Sequence, residues 1–175
     1  MNMEKLVIII NGSGGVGKDT LCDFATECFG VRNISSVTPI KEIAARYGWK
    51  GEKDAKARKF LADLKEAFVS YNDLPFTYIK EQYHEFMSSE TEEVMFVHIR
   101  EGAEIDKVKA YIETPCITLL VTRQQDGMTC WGNASDDNVA DYRYDYKYNN
   151  DKKLTEAKTD FVEFLKKIFE QETKR

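Results

Sequence analysis

The stretch Gly12-Ser13-Gly14-Gly15-Val16-Gly17-Lys18-Asp19-Thr20 directly follows the apolar run Leu6-Val7-Ile8-Ile9-Ile10. Glycines at these spacings let a backbone curl until successive N–H groups point inward, which is the geometry that holds an anion. A helix starting at the lysine adds its positive end. Lys18 adds a full charge suited to the β- and γ-phosphates of a nucleoside triphosphate. A hydroxyl is usual immediately after such a lysine; here Asp19 takes that place and the hydroxyl comes next, on Thr20. The ligand expected is ATP with Mg²⁺, its phosphates cradled by Gly12 to Thr20.

Other charged residues stand where strands end. Val97-His98-Ile99-Arg100-Glu101 closes an apolar run with an arginine suited to an acceptor's phosphate, and Glu101 is suited to orient it. His98 alternates with Val97 and Ile99, which also describes a half-buried histidine hydrogen-bonded within a sheet. Arg123 follows the run Ile117 to Thr122 and is placed to approach a transferring phosphate or stack on a base; the alternative is a surface arginine. Asp136 and Asp137 lie in a polar loop, and approach to a metal and capping of a short helix stay open as equal readings. Lys41, Arg46, Arg58 and Lys59 fall on a helical segment that can close over an acceptor phosphate and exclude water. Arg58 is the first choice among them, against a merely exposed basic face.

These residues need elements to carry them. The first strand is Leu6 to Ile10, followed by a helix to Phe29 with Gly30 placed as its cap. Val31 to Val37 reads as a second, more polar strand. Ile40 to Tyr47, Asp54 to Tyr71 and Tyr78 to Met87 read as helices, the second with an apolar stripe of Phe60, Leu61, Leu64, Phe68 and Tyr71. Asn72-Asp73 and Pro75 are expected to break the chain between the last two. Val94 to Ile99 and Ile117 to Thr122 are strands flanking a helix from Ala103 to Ile112. Tyr142 to Tyr148 alternates aromatic and charged residues, the pattern of an edge strand, with packing preferred over base stacking for the tyrosines. Leu154 to Phe169 closes the chain as an amphipathic helix with Leu154, Ala157, Phe161, Leu165 and Ile168 inward. Alternating strands and helices imply an α/β fold with a parallel sheet covered on both faces and ligands beyond the carboxyl ends of the strands.

The chain of 175 residues suits one domain, and a hydrophobic content of 42% with 31% charged residues excludes a disordered polymer. A net charge of -5 argues against nucleic-acid polymers and anionic membranes as partners. Cys22, Cys28, Cys116 and Cys130 form no metal-binding pair, so free thiols in a reducing cytoplasm are expected. The N-terminal apolar run is too short for a signal peptide or a membrane span.

Several segments resemble the P-loop nucleoside monophosphate kinase superfamily, most closely its deoxynucleoside monophosphate kinases. Gly17-Lys18-Asp19-Thr20 resembles the end of their phosphate loop (the Walker A segment), and Thr38-Pro39-Ile40-Lys41 resembles an element after their second strand. Val97-His98-Ile99-Arg100 with Glu104 resembles their Asp-x-Arg-Phe-x-x-Glu segment. Tyr144-Asp145-Tyr146 with Asn149-Asn150-Asp151 and Leu154 resembles their closing strand and turn, and Ser135-Asp136 a short Ser-[DE] element.

The resemblance implies a P-loop NTPase three-layer sandwich with a five-stranded parallel sheet in the order 2-3-1-4-5. It implies an acceptor-binding helical insertion near 39–90 and a lid near 124–141. The implied activity is ATP-dependent phosphoryl transfer to a nucleoside monophosphate, the deoxy form above all. Lys18, Arg100 and Arg123 are then the catalytic residues; Lys41, Arg58, Arg100 and Glu101 bind the acceptor, and Asp19 and Asp136 attend the metal. The implied partners are small nucleotides, for a cytoplasmic monomer or homodimer. His98 departs from the pattern, because the superfamily has aspartate there. That departure keeps open a kinase of another small metabolite, or a nucleotide-binding protein with weakened catalysis.

Overall fold

In the computed structural model, residues 3–124 and 139–174 are described. The strands are β1 (Leu6–Asn11), β2 (Val31–Ser35), β3 (Val94–His98), β4 (Cys116–Thr122) and β5 (Tyr146–Asn149). They form one five-stranded sheet in the order β2-β3-β1-β4-β5. All neighbours run parallel, with Ile10 opposite His98 on one side of β1 and Leu119 on the other. The order and the covering helices are those the sequence implied.

Among the described residues, six α-helices surround the sheet: α1 (Lys18–Ala25), α2 (Thr38–Arg46), α3 (Ala55–Asn72), α4 (Leu74–Ser88), α5 (Gly102–Tyr111) and α6 (Leu154–Thr173). Every residue of β1 is buried, because both of its faces are covered. Leu6, Ile8 and Ile10 pack with Leu21 of α1 and with Phe161 and Leu165 of α6. Val7 and Ile9, pointing the other way, pack with Ile79 and Phe86 of α4 and with Ile105 and Val108 of α5. Period-two alternation thus divides one apolar run between two cores.

Several boundaries differ from the sequence reading. Pro75 lies in the first turn of α4, where the missing N–H costs no hydrogen bond, so that helix starts at Leu74 instead of Tyr78. Helix α1 ends at Ala25, short of Phe29. Gly30 packs its backbone against Thr91, where an added Cβ would come within 1.6 Å of the carbonyl oxygen; close approach, not helix capping, is its role.

Strand β5 lies at the edge of the sheet as expected but begins only at Tyr146, since Asp145 turns its carboxylate onto the Thr118 N–H and hydroxyl. Leu154 is exposed, whereas Ala157, Phe161, Leu165 and Ile168 face inward. Helix α3, capped by Asp54 accepting from the Ala57 N–H, has no fully buried residue; Phe60 and Tyr71 of its expected stripe are exposed. None of the described helices is long and apolar enough to cross a membrane.

Candidate functional site

The loop between β1 and α1 is braced from several directions. Gly17 sits at φ 91°, in the left-handed region, at the N-cap of α1. A Cβ there would meet the side-chain nitrogen of Asn150 at 2.7 Å, and one on Gly12 would meet the Val121 carbonyl oxygen at 2.5 Å. Asn150 earns this proximity by donating to the Val16 carbonyl at 2.8 Å, while its own N–H donates to the Thr122 carbonyl. Val16 is buried; Ser13, Gly15, Asp19 and Thr20 lie on the surface. Lys18 reaches back across the loop, its Nζ donating to the Gly12 and Ser13 carbonyls at 2.5 and 3.1 Å. Burial lowers the Lys18 pKa to about 8, the charge of Arg100 adds to the lowering, and Asp19 opposes it.

Asn11 belongs to this candidate site, and the sequence reading passed over it. It is fully buried at the end of β1, and its Oδ1 accepts from the Gly12 N–H at 2.8 Å. Its Nδ2 donates to the Arg100 carbonyl at 3.0 Å and to the Tyr144 hydroxyl at 2.8 Å. One amide therefore ties the glycine-rich loop to the segment after β3. A polar residue ending an otherwise apolar run was the available sign. Asn11→Ala leaves these groups buried without their partner and should cost about 1–3 kcal/mol of stability, read as a lower denaturant midpoint at unchanged m value.

At the end of β3, His98 is largely buried and its Nε2 lies 2.8 Å from Oδ1 of Asn33 on β2. With the amide oxygen as partner, the imidazole N–H donates to it. Asp19 Oδ1 is 3.8 Å and Cys22 Sγ is 3.7 Å from the same nitrogen. Burial drives the His98 pKa down to about 4; Asp19 opposes, and Lys18, Lys41 and Arg100 push it further down. The imidazole is neutral at pH 7. It is a hydrogen-bonding strut between strands, with Lys18, Asp19, Lys41 and Arg100 gathered around it.

In the segment before α5, Arg100 has its pKa lowered first by burial and then by Arg58, with Glu101 opposing. Arg58, Arg100 and Glu101 are thus brought together, although they lie on α3 and on the segment before α5. Arg58 is also held by its own chain, donating from Nε to the Lys53 carbonyl. Lys59, by contrast, pairs with Asp63 one turn along α3 on an exposed face. Lys65 Nζ contacts Glu101 at 2.9 Å and Glu104 at 3.1 Å. Burial raises the Glu104 pKa to about 7, helped by a hydrogen bond with Glu101 and opposed by Lys65. Arg123 is exposed just after β4. Asp136 and Asp137, with most of the loop expected as a lid, lie outside the described residues.

Mg²⁺ prefers oxygen ligands and retains several waters. Among the described residues no group of three acidic, histidine or cysteine side chains can hold a metal ion. The Thr20 hydroxyl and the exposed Asp19 carboxylate fit an ion bound chiefly by phosphate and water. His98, whose nitrogen is engaged by Asn33, does not fit as a ligand.

No protein-family model matches the chain, and no curated protein matches it. Among solved structures it is similar to a gluconokinase from Sinorhizobium meliloti 1021, with a TM-score of 0.52 at 13% identity over 97% of this chain and 95% of that one. It is also similar to a shikimate kinase from Bacteroides thetaiotaomicron, with a TM-score of 0.47 at 16% identity over 95% of this chain and 98% of that one. At these identities the likeness is one of fold, and only the first is close enough to bear weight. The chain has the fold of the P-loop kinases: the parallel sheet order and a glycine-rich loop leading from the central strand into a helix.

Proposed function

We propose that this protein transfers the γ-phosphoryl group of ATP to a nucleoside monophosphate, with the deoxynucleotides as preferred acceptors. The observation that supports this most is the meeting of Lys18 with Arg100 at the carboxyl ends of β1 and β3, with Lys41 close to the same histidine and Arg58 beside Arg100. So many cations in one cleft of a protein with net charge -5 suit two phosphorylated ligands meeting end to end.

In this reading the backbone from Gly12 to Gly17 cradles the phosphate chain, Lys18 spans the β- and γ-phosphates and the Thr20 hydroxyl binds phosphate. Asp19, acting through water, and Asp136 would hold Mg²⁺, which when bound would supply neutralisation of the phosphate charge. Arg100, Arg58 and Lys41 hold the acceptor phosphate, and Glu101 orients Arg100. Arg123, exposed just after β4, approaches the transferring group. An oxygen of the acceptor phosphate attacks the γ-phosphorus, that phosphorus parts from the bridging oxygen, and ADP leaves. Catalysis rests on positioning and charge neutralisation, with no covalent enzyme intermediate.

The test is incubation of pure protein with Mg-ATP and a panel of ribo- and deoxynucleoside monophosphates, following ADP and diphosphate products. Gluconate and other small alcohols belong in the panel because one solved structure of similar fold is a gluconokinase. Turnover of monophosphates alone is the expected result. Turnover of an alcohol alone would overturn the acceptor assignment. ATP binding without transfer to any acceptor would mark a nucleotide-binding protein whose His98 has replaced a catalytic carboxylate.

A further inference from the structure

The backbone register of β1 with β3 ends at Ile10 and His98, and just beyond it the Ile99 N–H reaches the Ile10 carbonyl at only 3.4 Å. One residue further along β1 the side chain of Asn11 continues the pairing, its Nδ2 donating to the Arg100 carbonyl at 3.0 Å. This amide can sit only one way round. The Gly12 N–H can only donate, so Oδ1 faces it; the Arg100 carbonyl can only accept, so Nδ2 faces that. The second Nδ2 hydrogen goes to the Tyr144 hydroxyl, which in turn donates to the Val139 carbonyl at 2.7 Å.

Both side chains are buried, so water offers no substitute for these bonds. The position calls for two donors and one acceptor on a short planar group. Aspartate of the same shape lacks the donors, and leucine lacks all three. What the amide joins are the two halves of the cleft. Gly12 opens the glycine-rich loop, and its carbonyl receives the Lys18 ammonium at 2.5 Å. Arg100 carries the guanidinium whose charge is felt at Lys18. The seat of one cation and the backbone of the other are thus fixed to a single rigid group.

We propose that Asn11, braced by Tyr144, is a positioning residue for phosphoryl transfer, its amide setting the distance between the loop that holds the ATP phosphates and the arginine that holds the acceptor phosphate. The proposal rests on the transfer reaction proposed above. Reacting atoms must be brought to about 3–3.5 Å and aligned, so the spacing of the two cradles governs the rate separately from the strength of either. Removing the amide leaves each ligand its own contacts and alters only how the two meet. The rate falls while both affinities are kept.

The experiment compares the full chain with Asn11→Ala, Tyr144→Phe and Ile112→Val. Ile112 is buried at the end of α5 that precedes β4, away from the carboxyl ends of the strands, so its truncation lowers stability without touching the site. Calorimetry gives the Kd of ATP and of each deoxynucleoside monophosphate. Single-turnover kinetics with Mg-ATP and the monophosphate that the wild-type protein phosphorylates fastest gives the transfer rate. Asn11→Ala should lose about a hundredfold in that rate, the cost of a misplacement of about 1 Å, with each Kd within about threefold of wild type. Tyr144→Phe, which keeps the ring and removes only the brace, should lose about tenfold with the same split. Ile112→Val should keep the wild-type rate. Retained ATP affinity shows that a variant is folded; if Asn11→Ala does not fold, Tyr144→Phe decides alone.

Wild-type rates in folded Asn11→Ala and in Tyr144→Phe would overturn the proposal. So would a loss matched by Ile112→Val, or one that appears as weaker binding of ATP or monophosphate. In each of these cases the wild-type protein still transfers phosphate and the proposed function stands. If the wild-type protein phosphorylates no monophosphate, both readings fall together.

Discussion

Lys18→Ala is expected to lower phosphoryl transfer by roughly a hundred- to a thousand-fold, the usual cost of removing one positioned charge or donor from a transition state. ATP affinity should fall with it. The cause is specific to this loop: Lys18 lies across the Gly12 and Ser13 carbonyls, so its ammonium is already at the mouth of the cradle. The pH dependence provides a second readout. Burial, with Arg100 adding to it, leaves the Lys18 pKa near 8 in the free protein. A bound phosphate chain favours the charged form, so the pKa rises in the complex. ATP affinity is therefore fully present below about pH 8 and declines above it, because binding must then take up a proton. In Lys18→Ala that decline should vanish. Calorimetric titration at pH 7, 8 and 9 measures both effects, and unchanged affinity in the variant would overturn the phosphate-loop assignment.

The parts of this fold legible in the sequence are those built from consecutive residues. The apolar run of β1, the glycines and Lys18 are contiguous, so one reading frame contains strand, loop and helix start. Helix α6 was legible for the same reason, its Ala157, Phe161, Leu165 and Ile168 repeating at helical spacing. Boundaries were less so. The start of β5 depends on Asp145 bonding Thr118, a choice made between distant segments. The partners inside the site were hidden by the same distance. Asn11 meets Tyr144 and Arg100, and Lys65 meets Glu101 and Glu104, only after the sheet has brought β1, β3 and α3 together. His98 shows both sides. Its alternation in β3 implied a half-buried histidine, but its partner Asn33 follows from the parallel register of β2 with β3. The aspartate pattern of the resembling kinases says nothing of that strut.

Arg100→Ala is expected to lower kcat by about a thousand-fold, the lower bound for an arginine that stabilises charge on a transferring phosphoryl group. Arg100→Lys should recover little, because an ammonium lacks the planar fork that grips two phosphate oxygens at once. ATP affinity at pH 7 should hold within a few-fold, since the loop and Lys18 remain. The two cationic sites are nonetheless coupled. Arg100 helps depress the Lys18 pKa, so its removal should move the decline in ATP affinity to a pH above 8. Loss of structure alone would not shift that midpoint upward while leaving neutral-pH binding intact. Single-turnover kinetics measures the first effect and calorimetry across pH the second. If kcat is unchanged and the midpoint stays in place, Arg100 does not share the cleft with the transferring phosphate, and the acceptor must approach Lys18 from another side.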